Sequence, residues 1–136
     1  MKPRVLVSIV TCNSARYLED CLQSLKAQSF RDFIICLWDN ASTDKTLEIA
    51  ALHGDLLQSC HFSSKNLGFC AAHNHIIGSN SSDYVLVLNP DVILDRDFLG
   101  ILVRALDHDM QAGSATGKLW RWPIDLRQTK TLDTTG

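Results

Sequence analysis

The stretch YVLVLNPDVILDRDF, Tyr84 to Phe98, decides the fold. Tyr84 to Leu88 is a run of strand-forming residues, and it ends in Asn89-Pro90-Asp91, a polar, helix-breaking triplet at the point where a buried strand meets its loop. The segment DRDFLGILVRALDHD follows, with Phe98, Ile101, Leu102, Ala105 and Leu106 at helical spacing and Asp95 and Asp97 near its start. The unit is strand, polar loop, helix.

Working outward, the same unit recurs. RVLVSIV (Arg4 to Val10) is a strand-length apolar run, and SARYLEDCLQSLKAQ after it repeats Leu18, Cys21, Leu22 and Leu25 at helical spacing. DFIICLWDN is a second buried strand, followed by STDKTLEIAALHG, with Ser42 or Thr43 as the expected N-cap and Gly54 as the stop. LLQSCHF is a weaker third strand before the turn SSKNLG and the helical FCAAHNHIIGS. Strands apolar on both faces that alternate with helices predict an α/β fold, a mainly parallel sheet covered on both sides with right-handed crossovers. In such sheets ligands sit beyond the carboxyl ends of the strands. The polar loops after the four strands, Thr11 to Ser14, Asp39 to Ser42, Lys65 to Gly68 and Asn89 to Asp91, are therefore expected on one rim.

Composition bounds what that rim can bind. The chain has 136 residues, 46% apolar and 21% charged, enough for one globular core. Thirteen basic and fifteen acidic residues give a net charge of −2, which makes no electrostatic case for nucleic acid. No window approaches the ~18 uninterrupted apolar residues of a membrane helix, and VLVSIV is too short for the apolar part of a signal peptide. The expected location is cytoplasmic, or peripheral at the inner membrane face. The five cysteines form no C-x-x-C pair and read as small apolar residues. Neither G-x-G-x-x-G nor G-x-x-x-x-G-K-[ST] occurs, so phosphates would be held through a cation rather than a glycine cradle. Two separated carboxylates suit such a ligand. Asp39 can accept from a ribose or base, and Asp91 can hold a divalent ion against a diphosphate.

Four stretches, VSIVTCNSARYLEDCLQSLKAQSFRDF, WDNASTDKT, NLGFCAAHNHII and YVLVLNPDVIL, resemble the successive signatures of family 2 glycosyltransferases. The resemblance covers Val5 to about Gly117. It implies the GT-A fold, a Rossmann-like three-layer α/β/α sandwich with strands in the order third, second, first, fourth, and a nucleotide-diphosphate sugar as donor. It implies further that Thr11, Asn13 and Asp39 receive the nucleotide, with Asp39 on the base, and that Asn66 and Gly68 line the donor pocket. Asp91 matches the metal-binding end of the family's D-x-D motif, for Mg2+ or Mn2+. Asn89 stands where the family often has the first Asp; an amide is a weaker cation ligand, so Asn89 is also free to contact ribose. The N-P-D form resembles the rhamnosyltransferase-like branch, which implies a dTDP-linked deoxysugar, with UDP-hexose as the alternative.

By the same resemblance, transfer inverts: an acceptor hydroxyl, on a saccharide or lipid-linked acceptor, attacks the anomeric carbon while a carboxylate base takes its proton. No residue here matches that base; Asp125 and Asp133 lie in no matching context, and the catalytic residue is unassigned. Residues 1–122 are expected to form the nucleotide-sugar-binding core and 123–136 an extended tail opening an acceptor-binding half. Two alternatives compete: a non-catalytic nucleotide-sugar binding or assembly module, and a nucleotidyltransferase, which wants a glycine-rich basic loop that TCNSARY does not supply. An unpaired sheet edge near the C-terminus suggests a homodimer.

Structural roles compete residue by residue. Asp39 could be a turn residue of DNASTD, Asp44 a first-turn residue favoured by the helix dipole, and Trp120 and Trp122 either core or an acceptor platform. His73 and His75 are two apart on a helix and face different ways, one partly buried and one exposed.

Overall fold

The computed structural model describes residues 2–121 and the backbone of residues 132–134. Its elements run β1 (Val5–Thr11), α1 (Ala15–Lys26), β2 (Phe33–Asn40), α2 (Thr46–Leu52), β3 (Ser59–Ser63), α3 (Phe69–Gly78), β4 (Tyr84–Leu88), α4 (Phe98–His108), β5 (Leu119–Trp120) and β6 (Leu132–Thr134). Two compact units divide the chain, Met1–Arg96 and Asp97–Gly136.

The first unit holds a four-stranded sheet in the order β3-β2-β1-β4, all parallel, as the family resemblance implies. β1 and β2 are central and read as unbroken apolar runs because both of their faces are covered. Strand alternation sends Leu6, Ser8 and Val10 to one face and Val7 and Ile9 to the other. On the first face Leu6, Cys36 and Trp38 form a buried cluster with Ala72 and Ile76 of α3. On the opposite face Val7, Ile9, Ile35 and Leu37 are at most 1% exposed. The helices α1 and α2 pack on one another, and α1 buries Leu18, Cys21, Leu22 and Leu25 completely. Each such leucine withdrawn from water contributes roughly 1.5–3 kcal/mol, so this stripe anchors the helix far more firmly than its intrinsic propensity.

Several boundaries differ from expectation for definite reasons. The N-cap of α2 is Lys45, not Ser42 or Thr43, because Ser42 and Thr43 are engaged in bonds to Asp39 and Asn13. β3 starts at Ser59 rather than Leu56, since the Leu56 amide still bonds back to the His53 carbonyl as the chain leaves α2.

In the second unit, α4 buries Leu99, Gly100 and Val103 while Ile101 is 53% exposed, so its inward stripe is rotated from the predicted one. Asp97 takes the N-cap position, and Asp95 lies before the helix. The fifth strand is only Leu119–Trp120 and pairs antiparallel with β6, forming a separate two-stranded sheet. Gly117 permits the chain to pass the Phe98 ring, which a Cβ would meet at 2.4 Å. Trp122 and Asp125 lie outside the described residues.

One buried polar pair sits in the first unit's core. His73 of α3, 4% exposed, bonds through Nδ1 to Ser8 Oγ at 2.7 Å, while its Nε2 is buried and has no hydrogen-bond partner among the described residues. His75 is exposed, as the two-residue spacing predicted. Burial pushes the His73 pKa below its ordinary 6.5, because a charged imidazole would lose its hydration. The native state therefore binds fewer protons than the unfolded chain between the lowered pKa and 6.5, and stability falls as pH drops through that window. Chemical denaturation of the wild type at pH 7.5 and pH 5 should show this loss, and His73→Gln should remove most of it. An equal pH dependence in the variant would place the titration elsewhere.

Candidate functional site

Parallel pairing brings the four strand-to-helix loops to one rim. Thr11 and Asp39 are direct partners across β1 and β2, and Leu88 of β4 pairs with Ile9, so Asp39 and Asp91 emerge at the same end of the sheet. Asp39 is 1% exposed, and each of its carboxylate oxygens accepts at least one hydrogen bond within the protein. Its Oδ1 accepts from Thr11 Oγ1 at 2.7 Å and Ser42 Oγ at 2.6 Å, and its Oδ2 accepts from the Ser42 amide at 2.8 Å. This turn passes through Ala41 at φ 57°, a left-handed conformation costly for a residue with a Cβ, which persists because the carboxylate holds both sides of it.

A second set of bonds zips this loop to the one after β1. Asn13, itself at φ 51°, donates its amide to Ser42 Oγ at 2.8 Å and accepts at Oδ1 from the Thr43 amide at 2.8 Å. Asp44 reaches further: Oδ1 accepts from the Thr46 amide and hydroxyl, and Oδ2 accepts from the Ala15 amide at 3.1 Å. Thr46 Oγ1 in turn takes the Ser14 amide at 2.8 Å. The first amides of α1 are thus satisfied by α2's loop, since Ser14 makes no cap bond of its own. The Thr46 hydroxyl, with these amides, holds the Asp44 pKa below the usual range, so Asp44 is a brace between two helix starts as well as a dipole partner.

The loop after β3 hangs from β2 through Asn40, whose Oδ1 accepts from Trp38 Nε1 and the Leu67 amide and whose Nδ2 donates to the Gly68 carbonyl. Asn66 folds over the same turn, accepting the Gly68 amide at Oδ1 (2.8 Å) and donating to Cys12 Sγ at 3.5 Å. Gly68 has φ +84°, a value that favours glycine.

The fourth loop is tied to α1. Cys21 Sγ donates to the Asn89 carbonyl at 3.8 Å, Ser24 Oγ accepts the Leu94 amide at 3.1 Å, and Gln28 Nε2 donates to the Asp95 carbonyl at 2.7 Å. Cys21 and Ser24 are three residues apart and share one face of α1, and Gln28 lies just beyond the C-cap Ala27. Asn89 and Asp91 are both exposed at the end of this clamped segment. Among the described residues neither side chain has a hydrogen bond or an ion pair.

The predicted site residues therefore fall into two groups. Thr11 and Asp39 are buried and bonded to each other; Asn13, Asn66, Gly68, Asn89 and Asp91 are exposed along the rim. Among the described residues no three His, Cys, Asp or Glu side chains converge as a metal cage. The donor set is one free carboxylate beside one amide, which fits an ion completed by a ligand's phosphates and by water rather than a protein-enclosed one. Sequence reasoning missed Asn40, Ser42, Ser24 and Gln28. Ser24 alone left a signal in the period, as a polar residue on the buried stripe of α1; Asn40, Ser42 and Gln28 stand at or beyond element ends, where polar residues are ordinary.

The profile of glycosyl transferase family 2 matches residues 6–123. Chondroitin synthase of Escherichia coli is 26% identical over 143 residues, covering 95% of this chain and 21% of its own. Among solved structures, S. aureus TarS 1-349 in complex with UDP-GlcNAc matches with a TM-score of 0.71 at 25% identity, over 77% of this chain and 31% of that one. The mannosyltransferase PcManGT from Pyrobaculum calidifontis, in complex with GDP-Man and Mn2+, matches with a TM-score of 0.70 at 26% identity, over 78% and 33%. The chain belongs to glycosyl transferase family 2 and has the GT-A fold. It spans between about a fifth and a third of the length of these relatives.

The five free thiols differ sharply across this region. Burial, with the nearby Asp91 charge, pushes Cys21 up to about 12; burial, with the Asp39 charge, pushes Cys60 up to about 11. Cys12 and Cys70 are exposed and Cys36 is buried. Iodoacetamide at pH 8 should label Cys12 and Cys70 in the native protein and reach Cys21 and Cys36 only on unfolding, as peptide mass spectrometry would show. Native labelling of Cys21 at the rate of Cys12 would contradict the clamp between α1 and the Asn89 loop.

Proposed function

We propose that this chain is the donor-binding part of an inverting, metal-dependent glycosyltransferase that takes a UDP- or dTDP-linked sugar. The observation that carries the reading is the unpartnered Asp91 carboxylate, exposed at the end of β4 on the same rim as the zipped loops of β1, β2 and β3. A buried or bonded carboxylate would have a structural explanation; this one has none among the described residues. The relatives support the class of donor, since TarS was solved with UDP-GlcNAc and PcManGT with GDP-Man and Mn2+.

In this proposal Asn13, Asn66 and Gly68 border the nucleoside, Asn89 meets the ribose or the ion, and Asp91 holds Mg2+ or Mn2+ against the diphosphate. The bound ion supplies Lewis-acid stabilisation of the departing diphosphate. Thr11 and Asp39 act from beneath: Oδ2 of Asp39, which takes only one hydrogen bond, is the atom with capacity left for a base N–H. An acceptor hydroxyl on a saccharide or lipid-linked molecule attacks from the face opposite the leaving group, and its general base is assigned to no residue of this chain. The reading also places the protein in the cytoplasm, or at the inner face of the membrane; among the described residues no helix is long and apolar enough to cross a membrane.

Calorimetric titration with UDP or dTDP, in Mn2+ and then in chelator, tests the assignment. Wild type should bind more tightly with the ion, and Asp91→Ala should abolish that difference, because Asn89 and solvent alone hold a cation poorly. Asp95→Ala should leave binding intact. Asp39→Ala should weaken binding with or without metal and also destabilise the fold by about 1–3 kcal/mol, since it strands the buried hydroxyl of Thr11 and the partly buried Ser42. Sugar transfer by the isolated chain should be undetectable. Equal affinity of the wild type in metal and in chelator would refute the metal bridge.

A further inference from the structure

Asn40 ends β2, is 3% exposed, and is used at each end of its amide. Its Oδ1 accepts from the Trp38 indole Nε1 at 3.0 Å and from the Leu67 amide at 3.2 Å, and its Nδ2 donates to the Gly68 carbonyl at 3.3 Å. The orientation of the amide is set by chemistry. The indole can only donate, so it must face the oxygen, and that leaves the NH2 group directed at Gly68.

Trp38 is itself immobilised. Its ring stacks on His61 at 3.9 Å between centroids and on His75 at 4.9 Å, with interplanar angles of 26° and 13°. The indole N–H is therefore a fixed donor, and the fixed donor aligns Asn40.

Beyond Asn40 the loop is held by the Leu67 side chain, which packs on the Leu6–Cys36–Trp38 cluster, and by mostly local hydrogen bonds. Ser63 Oγ donates to the Lys65 carbonyl, Asn66 Oδ1 takes the Gly68 amide, and Asn66 Nδ2 touches Cys12 Sγ at 3.5 Å. Ser64, Lys65 and Asn66 are exposed, so little packing restrains them. Two consecutive residues, Leu67 and Gly68, are gripped by one side chain just before α3 begins, and Gly68 there holds a left-handed φ of +84°.

We propose that Asn40 is a positioning residue for donor binding: it sets the Asn66–Gly68 loop in the shape that a nucleoside diphosphate meets, without touching the ligand. The proposal rests on the donor-site reading above and adds to it the residue that orders the loop in the free protein. Asn40→Ala removes all three bonds; Asn40→Asp keeps both acceptor bonds and replaces the donation to Gly68 by a carboxylate facing a carbonyl. Leu25→Ala, a cavity in α1 outside the rim, serves as the control for lost stability.

Hydrogen exchange of the free proteins and titration with UDP or dTDP in Mn2+ give the two readings. N40A should speed exchange of the Leu67 to Phe69 amides, and weaken nucleotide binding, each by about tenfold or more, as expected for losing a set of buried hydrogen bonds. N40D should fall between it and wild type, and carries the comparison alone if N40A does not fold. L25A should lower the melting temperature with little change in either reading. Loop exchange or affinity in the Asn40 variants no different from L25A would overturn the proposal, leaving Asn40 as a packing residue. A wild type that binds no nucleotide would overturn the donor-site reading, and exchange in the free protein would still decide whether Asn40 orders the loop.

Discussion

The rim depends on the carboxyl end of β2, where Asp39 and Asn40 spend their side chains on other segments. Asp39 crosses to β1 through Thr11 and closes its own turn through Ser42. Asn40 crosses to the loop before α3. Successive strand residues point to opposite sides of a sheet, so two neighbours in sequence can serve two loops at once. One dipeptide thereby links three of the four loops, and Asp39 and Asn40 themselves are buried, where an unpaired polar group would be costly.

The fourth loop is governed differently. Its backbone is gripped by Cys21 and Ser24 of α1 and by Gln28 just after that helix, while the side chains of Asn89 and Asp91 are left exposed. Holding a segment by its main chain frees its side chains for something else, and that contrast separates Asp91 from Asp39 despite their similar places at strand ends. The same residue type serves as a buried brace in one loop and as an unpartnered carboxylate in the other.

Much of this was legible in the sequence. VLVSIV and FIICLWDN are apolar on both faces, as the strands of a covered sheet are, and helical periods lie between them; YVLVL reads the same way, but its Val85 and Val87 are 42% and 46% exposed in the structure. The rotation of α4 was not legible, because FLGILV is apolar around most of its circumference and local pattern cannot choose a face. The start of α2 was missed because Ser42 and Thr43 are good caps by type; tertiary bonds to Asp39 and Asn13 outweighed the local preference. The exposure of Asp91 followed from its position after β4. The burial of Asp39 did not, since a carboxylate at a strand end gives no sign of which neighbours will close over it.

The sheet's two edges are unlike. Along β3 the residues Ser59, His61 and Ser63 alternate on one face, all polar, with Phe62, 56% exposed, on the other. Along β4 the outward pair is Val85 and Val87, 42% and 46% exposed, and β4 has only β1 as a neighbour in its sheet. An apolar strand at the margin of a sheet is a template for another strand. In the first unit that template carries a two-valine apolar face, and a single lysine at Val87 would break it while leaving the rim residues untouched.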